Sequence, residues 1–289
     1  MTHPGFTGAG IDRADLLRLD PEKLRSLALQ AGARLLALAD LDPVLDEEGR
    51  LLWSEIAALE DEHIFLGLEG GSPLFAPLVR TEAIGRGAWG VFRALAQMSP
   101  RDAAIWGAAR SLNEWHNRHG FCGICGSPTA PFRAGWGRRC GGCGAEHFPR
   151  VDPVVIMLAE HEGKVLVARQ PQYPAGRYSA LAGFVEPGES IEEAVARELM
   201  EEASLPVANI RYVASQPWPF PGSLMIACLA DAATDEVTLD LTELEAAIWV
   251  DKAGVAAALA GEAGAPFEAP PPFAIAHTLF RRWIEGDPA

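Results

Sequence analysis

The chain has 289 residues, 49% of them hydrophobic, and carries 39 Asp and Glu against 24 Lys and Arg, a formal net charge of −15. That composition suits a globular protein long enough for more than one core, and so acidic a chain does not attract nucleic acid or an anionic membrane through its overall field. No run approaches the ~18 apolar residues of a membrane span. The N-terminal MTHPGFTGAG lacks the charged-then-apolar pattern of a secretory signal, so the expected compartment is the cytoplasm, with no membrane partner.

Residues 1–118 read as an α+β domain, a scaffold or dimerisation element. ARLLALADLDPVL (from Ala33) and RLLWSEI (from Arg50) flank the turn Asp46-Glu47-Glu48-Gly49 and could form a hairpin. HIFLGLE and LFAPLV flank Gly70-Gly71-Ser72-Pro73 and predict a second. From Gly87 to Trp115 the apolar positions (Trp89, Phe92, Leu95, Ala104, Ile105, Leu112) take helical spacing, and Pro100 divides the stretch into two helices.

Residues 119–150 hold two C-x2-C pairs, Cys122/Cys125 and Cys140/Cys143, fourteen residues apart. Glycines beside each pair allow the tight turns that aim two thiolates at one centre. Four thiolates suit a tetrahedral structural Zn²⁺ with no open coordination position, and a chain without a secretory signal disfavours disulfides. Cys228 lies in the apolar run LMIACLA and reads as a small core residue, and His147 as structural. Arg133, Arg138, Arg139 and Arg150 make a local basic neighbourhood in the same stretch.

Residues 151–289 are strand-rich. PVVIMLAE and KVLVARQ form a hairpin across His161-Glu162-Gly163. NIRYVASQ and LMIACLADAA are further strands, EVTLDLTELEAAIWV returns through a strand and a short helix to another strand, and FAIAHTLFRRWIEG is a terminal helix from Phe273. Between them lies LAGFVEPGESIEEAVARELMEEASL, from Leu181 to Leu205. Ser190 and Glu193 form a capping box, so a helix should begin at Ile191, with Ile191, Val195 and Leu199 as its apolar stripe. Glu198 and Glu202 point along that stripe and Glu201 lies beside it. Inward-facing carboxylates repel and lose solvation, a problem that a hard cation such as Mg²⁺ or Mn²⁺ removes.

The spacing of Gly183, Glu189 and Arg197-Glu198-Leu199-Met200-Glu201-Glu202 resembles the box of the Nudix hydrolases, which cleave pyrophosphate linkages with divalent cations. Ser204 stands where the box ends in glycine; at positive φ it would carry a strain of ~1 kcal/mol. The loop SQPWPFPGSL, just downstream, resembles the signature of the NADH pyrophosphatase branch, which also carries a four-cysteine zinc ribbon. In that loop Trp218 and Phe220 offer flat faces for a base. The resemblance implies an N-terminal α+β domain, a zinc ribbon and a C-terminal α/β/α sandwich with a mixed sheet.

It further implies hydrolysis of NAD(H) to nicotinamide mononucleotide and AMP, removal of NAD caps from RNA, and a homodimer. Glu198, Glu201, Glu202, Glu243 and the Ala182 carbonyl would hold Mg²⁺ or Mn²⁺. Glu202 is the candidate general base, with Glu201 and Glu198 not separable from it by sequence. Arg197 would orient Glu189 or another box carboxylate. Substrate contacts would come from Phe184, Ala276 and the loop Gln216, Pro217, Trp218, Pro219, Phe220, Pro221, Gly222 and Ser223. Phe148 replaces a tyrosine of the family pattern, which removes a hydroxyl and keeps a ring. The rival readings are another dinucleotide substrate (ADP-ribose or a diadenosine polyphosphate) and a non-catalytic, zinc-ribbon nucleic-acid binder.

Overall fold

A computed structural model describes residues 4–57, 62–81 and 89–286. The chain divides into two compact units: Met1–Gly5, Asp152–Gln216 and Leu224–Ala289 form one, and Phe6–Val151 with Pro217–Ser223 the other. Among the described residues no helix is long and apolar enough to cross a membrane.

In the unit built on Phe6–Val151 a 3-10 turn (Asp15–Leu19) leads into helix α1 (Pro21–Ala28), capped by Asp20. Strands β1 (Arg34–Leu36), β2 (Leu38–Ala39), β3 (Asp42–Pro43), β4 (Trp53–Ser54), β5 (His63–Glu69) and β6 (Ser72–Pro77) follow. Their main sheet has the order β4-β1-β6-β5. The β5–β6 hairpin lies where the sequence predicts it, turning through Gly70 and Gly71, both at positive φ. The earlier hairpin closes at the predicted turn, where Asp46 N donates to Arg50 O at 3.0 Å, Leu52 N donates to Val44 O at 2.9 Å and Leu45 bridges Leu51. Its first arm is interrupted: β1 pairs β4 at Leu35↔Ser54 and Leu36↔Trp53, while β2 and β3 fold onto each other around Asp40, whose φ is 53°.

Helix α2 (Trp89–Gln97) ends before α3 (Pro100–Arg118); the predicted start of this stretch at Gly87 lies outside the described residues. Pro100 occupies the first turn of α3, where no backbone N–H is needed, and Ser99 Oγ accepts from Asp102 N at 3.0 Å. Strands β7 (Thr129–Phe132), β8 (Gly137–Cys140) and β9 (Glu146–His147) complete this unit as a small antiparallel sheet.

The second unit holds β10 (Asp152–His161), β11 (Lys164–Arg169), β12 (Leu181–Phe184), α4 (Ile191–Ala203), β13 (Val207–Trp218), β14 (Ser223–Ala232), β15 (Ala246–Asp251), α5 (Lys252–Ala260) and α6 (Ile275–Glu285). The sheet runs β13-β14-β10-β11-β15, with β12 also paired to β10. Alternation along the strands builds a core on each face. Ile156, Leu158, Val165, Val167, Ala227 and Leu229 pack with α5 and α6. Val155, Met157, Leu166, Ile226 and Cys228 pack with Ala194, Val195 and Leu199 of α4. Helices therefore cover both faces, and Cys228 is a core residue.

The end of the chain departs from the sequence reading, with one helix added. EVTLDL forms no strand: Val237 and Leu239 pack loosely under α4, and Asp240 Oδ1 accepts from Thr242 N and Oγ1, which fixes a turn in place of a short helix. Helix α5 follows β15 directly, capped by Asp251 on Gly254 N and stopped by Gly261 at φ 67°. Helix α6 starts at Ile275, because the chain leaving Pro270-Pro271-Pro272 first makes a turn from Ala274 N to Pro271 O.

Candidate active site

Helix α4 begins with the full capping box: Ser190 Oγ accepts from Glu193 N at 3.2 Å, and Glu193 Oε2 accepts from Ser190 N at 2.7 Å. This phases the helix so that Ala194, Val195, Glu198, Leu199, Glu202 and Ala203 are buried together. Two carboxylates thus share a face with core residues, Glu198 at 9% and Glu202 at 4% exposure. Glu198 lies against the backbone of β12: a Cβ on Gly183 would come within 1.8 Å of its Cδ. Only glycine leaves that space.

Arg197 organises the surrounding acids. Its Nε and Nη2 donate to the two carboxylate oxygens of Glu189 at 2.6 and 3.0 Å, and Nη1 donates to Glu198 and Glu201 at 2.8 and 2.9 Å. Nη2 also reaches the Phe184 carbonyl at 2.9 Å. The guanidinium ties the loop to the helix and serves to orient carboxylates, as the sequence suggests.

Burial, then the charges of Glu198, Glu243, Asp240 and Glu201, push the Glu202 carboxyl up to about 8. Burial likewise raises Glu198 despite its bond to Arg197. Glu198, Glu201, Glu202 and Glu243 therefore lie close enough to interact electrostatically. Sequence reasoning passed over two more members of this neighbourhood. Asp240, whose N–H donates to the Glu202 carbonyl at 2.9 Å, precedes Glu243 in its turn. The Tyr173 hydroxyl is pushed up by burial and by Glu202. Both come from distant loops with no local pattern.

Gln216 closes the run of the second unit before the aromatic loop. It is fully buried, and neither its Oε1 nor its Nε2 has a partner among the described residues. A buried amide without partners costs free energy and is expected to meet one.

The loop Pro217–Ser223 belongs to the other unit and passes through a cis Phe220–Pro221 bond. Its rings join an aromatic cluster. Trp218 stacks on Phe92 with centroids 6.3 Å apart and meets Phe6 edge-on at 5.7 Å, while Phe220 lies 5.6 Å from Phe92 and 6.1 Å from Trp106. Both rings remain half-buried. The loop therefore has a packing role that its sequence alone did not reveal.

The four cysteines converge, with their Sγ atoms all within 4.8 Å of one another. Cys122 and Cys143 are 3.8 Å apart, and Cys125 and Cys140 3.4 Å. A tetrahedron with ~2.3 Å Zn–S bonds has S–S edges of ~3.8 Å, so the set fits one zinc. The two knuckles repeat one geometry: Gly126 N donates to Cys122 O and Gly144 N to Cys140 O, with φ of 74° and 73° at the two glycines. Backbone N–H groups of Ile124, Gly142 and Cys143 point at Sγ atoms. His147 Nε2 lies 3.2 Å from Cys122 Sγ, beside the set and not a member of it.

Comparison with known proteins agrees with this order of parts. Family models match an NADH pyrophosphatase-like rudimentary NUDIX domain over residues 23–115 and an NADH pyrophosphatase zinc ribbon domain over 117–148. A NUDIX domain matches 149–268. The NAD-capped RNA hydrolase NudC of Mycobacterium bovis is 39% identical over 276 residues, 89% of this chain and 85% of that protein. The chain belongs to the NADH pyrophosphatase branch of the Nudix family. The human NAD-capped RNA hydrolase NUDT12 is 42% identical over 205 residues, 68% of this chain and 44% of its own length. The human mitochondrial NAD(P)H pyrophosphatase NUDT13 is 42% identical over 204 residues, 67% of this chain and 58% of its own length. The chain thus spans about half the length of these human relatives.

Within this Nudix chain the remaining predicted residues fall in varied settings. Phe184, at the end of β12, is 61% exposed, and Ala182 is two residues before it on the same strand. Ala276 is buried in the first turn of α6, among the core residues of that face. Phe148 is half-buried, its ring 5.8 Å from Phe132 with the Arg133 guanidinium 5.8 Å from its own centroid. Ser204 has φ 52° and ψ 35°, so the serine does occupy a left-handed position. Of the basic neighbourhood, Arg138 is fully buried on Thr129 and His116, and Arg139 pairs with Glu146 at 2.7 Å.

Proposed function

We propose that this protein is a divalent-cation-dependent pyrophosphohydrolase that cleaves NAD(H) to nicotinamide mononucleotide and AMP and removes NAD caps from RNA 5′ ends. The observation that carries the reading is Glu202: 4% exposed, surrounded by carboxylates and pushed up to about 8, it sits in a cluster whose charge calls for a cation. The choice of substrate is supported by the loop SQPWPFPGS and by the relatives' names.

Glu198, Glu201, Glu202, Glu243 and the Ala182 carbonyl would hold Mg²⁺ or Mn²⁺. Bound there, the cation would offset diphosphate charge and acidify a ligated water. In the reaction a water oxygen bonds to one phosphorus, the bridging P–O bond breaks, and the bridging oxygen leaves with the other phosphate. Glu202 accepts the water proton. Arg197 keeps Glu189, Glu198 and Glu201 in register without touching the reacting atoms. The orphaned amide of Gln216 and the half-buried rings of Trp218 and Phe220 suit a polar and a stacking contact with substrate. Phe184, Phe148, Ala276 and the rest of Gln216–Ser223 are assigned to the same task by family position.

On this reading the chain comprises a scaffold or dimerisation domain at 1–118, a zinc ribbon at 119–150 and the hydrolase domain at 151–289, and the protein is a cytoplasmic homodimer. The test is a substrate panel. Release of AMP should be faster from NADH and NAD-capped RNA than from ADP-ribose or diadenosine polyphosphates, and Trp218→Ala should narrow that preference. A panel on which ADP-ribose is cleaved as well as NADH would overturn the specificity.

A further inference from the structure

The loop that carries Trp218 and Phe220 is held from behind by one buried arginine of α3. Arg110 is 1% exposed. Its Nε donates to the carbonyl of Pro219 at 3.1 Å, and its guanidinium carbon lies 5.0 Å from the centroid of the Phe220 ring and 5.7 Å from that of Trp106. The far side of the same guanidinium is anchored. Nη2 pairs with Glu114 at 3.3 Å, and Nη1 reaches the Leu41 carbonyl and the Asp42 carboxylate, each at 3.4 Å. Trp106 Nε1 donates to the same Leu41 carbonyl at 3.0 Å, so ring and guanidinium are fixed to one backbone point.

The helix presents this brace as a single face. Trp106, Arg110 and Glu114 are four residues apart, and Gly107 beside them gives the loop its seat: a Cβ there would meet Phe6 Cδ1 at 3.0 Å and Pro219 Cγ at 3.4 Å. An ion pair with Glu114 alone would not need arginine. A guanidinium can bond the Pro219 carbonyl, Glu114 and the Leu41 carbonyl at once from separate nitrogens while its carbon lies over the Phe220 ring, whereas the single ammonium of lysine cannot span these partners together. The same group also gives the Pro219 carbonyl a donor inside the protein.

We infer that Arg110 is the positioning residue of the substrate loop, setting the orientation of Trp218 and Phe220 and thereby the affinity for the dinucleotide. The inference rests on the reading of Gln216–Ser223 as a substrate contact. Because the loop would touch parts of the substrate away from the scissile bond, losing its orientation removes binding shared by ground and transition states. The loss then appears in KM and leaves kcat in place.

The experiment is steady-state hydrolysis of NADH by the full chain, comparing wild type with Arg110→Lys and with the double variant Arg110→Met/Glu114→Leu. The double variant removes both charges together, a replacement that buried ion pairs commonly tolerate, so it provides a folded protein if Arg110→Lys does not. Near-UV circular dichroism checks the fold. The expected result is a KM for NADH raised about tenfold or more in each folded variant, with kcat within about threefold of wild type. A folded variant with wild-type KM would overturn the inference. So would loss of fold in both variants, since that makes the pair a stability element. A wild-type protein that leaves NADH intact would instead sink the functional reading on which the inference stands.

Discussion

The cysteine ribbon and the acidic helix α4 solve opposite problems of ligand assembly. In the ribbon, four side chains from two short turns reach one point, and their Sγ atoms lie within 4.8 Å. Among the described residues no trio of acidic groups approaches so closely. Instead Arg197 takes a place among the glutamates, bridging Glu198 and Glu201, while Glu202 is left buried and pushed up to about 8. Thiolates can be gathered by backbone N–H groups that point at sulfur. Carboxylates on a core-facing helix repel, and need a cation or protons to share the space. A closed site suits structure and a loosely held one suits exchange of water and substrate.

The sharpest way to break the comparison is Cys140→Ser. Zinc binding to a four-cysteine site contributes on the order of 10 kcal/mol to folding, so the variant should drop from one zinc per chain to none and lose amide protection throughout residues 119–150. Metal analysis with hydrogen exchange reads both, and full retention of zinc would contradict the assignment.

The ribbon's attachment to α3 gives a pH test. His116 Nε2 donates to Gly135 O at 2.8 Å, so Nδ1 is left to accept from buried Arg138 at 3.0 Å. That arrangement needs a neutral ring, and burial holds the imidazole down to about 4 against an ordinary 6.5. Between these values the unfolded chain binds a proton that the folded one refuses. Stability is therefore complete above pH 6.5 and falls as the pH drops toward 4, by about 3 kcal/mol. In His116→Gln that component should be missing, and urea unfolding of both proteins across this range checks it. Identical pH profiles would remove the claim.

Gly183→Ala perturbs the other site alone. A methyl cannot fit 1.8 Å from Glu198 Cδ, so the carboxylate must move. The cost should be about 100-fold in kcat, in line with the loss of one charge-stabilising group, with the melting temperature changed far less. Unchanged kinetics would show that Glu198 is free to sit elsewhere. The smallest effect is expected at the helix end: Ser204→Gly should relieve the left-handed serine and add about 1 kcal/mol of stability at unchanged kcat. A destabilised variant would point to a contact made by the serine hydroxyl.

Much of this was legible locally. The capping box, the four-residue spacing of Glu198 and Glu202 and the paired cysteines each specify their geometry within one turn of chain, and they appear as the sequence indicates. Helix α5 was hidden because KAGVAAALA is small and apolar all round, giving no amphipathic period. Strand β12 was hidden because Gly183 reads as loop, although it serves a close approach. Asp240, Tyr173 and Arg110 were not legible at all, since their roles come from contacts across tens of residues, such as Arg110 to Pro219. The aromatic loop was half legible: its residue types pointed to stacking, but its packing on Phe6, Phe92 and Trp106 needed coordinates.

The most direct measurement is the product pattern from NADH with Mg²⁺ or Mn²⁺, comparing the wild-type protein with Glu202→Gln. The account predicts nicotinamide mononucleotide and AMP in equal amounts, dependent on the added cation and reduced about 1,000-fold by the substitution, within the range for a general base. No cleavage by zinc-replete wild-type protein, or cleavage that Glu202→Gln leaves intact, would contradict it.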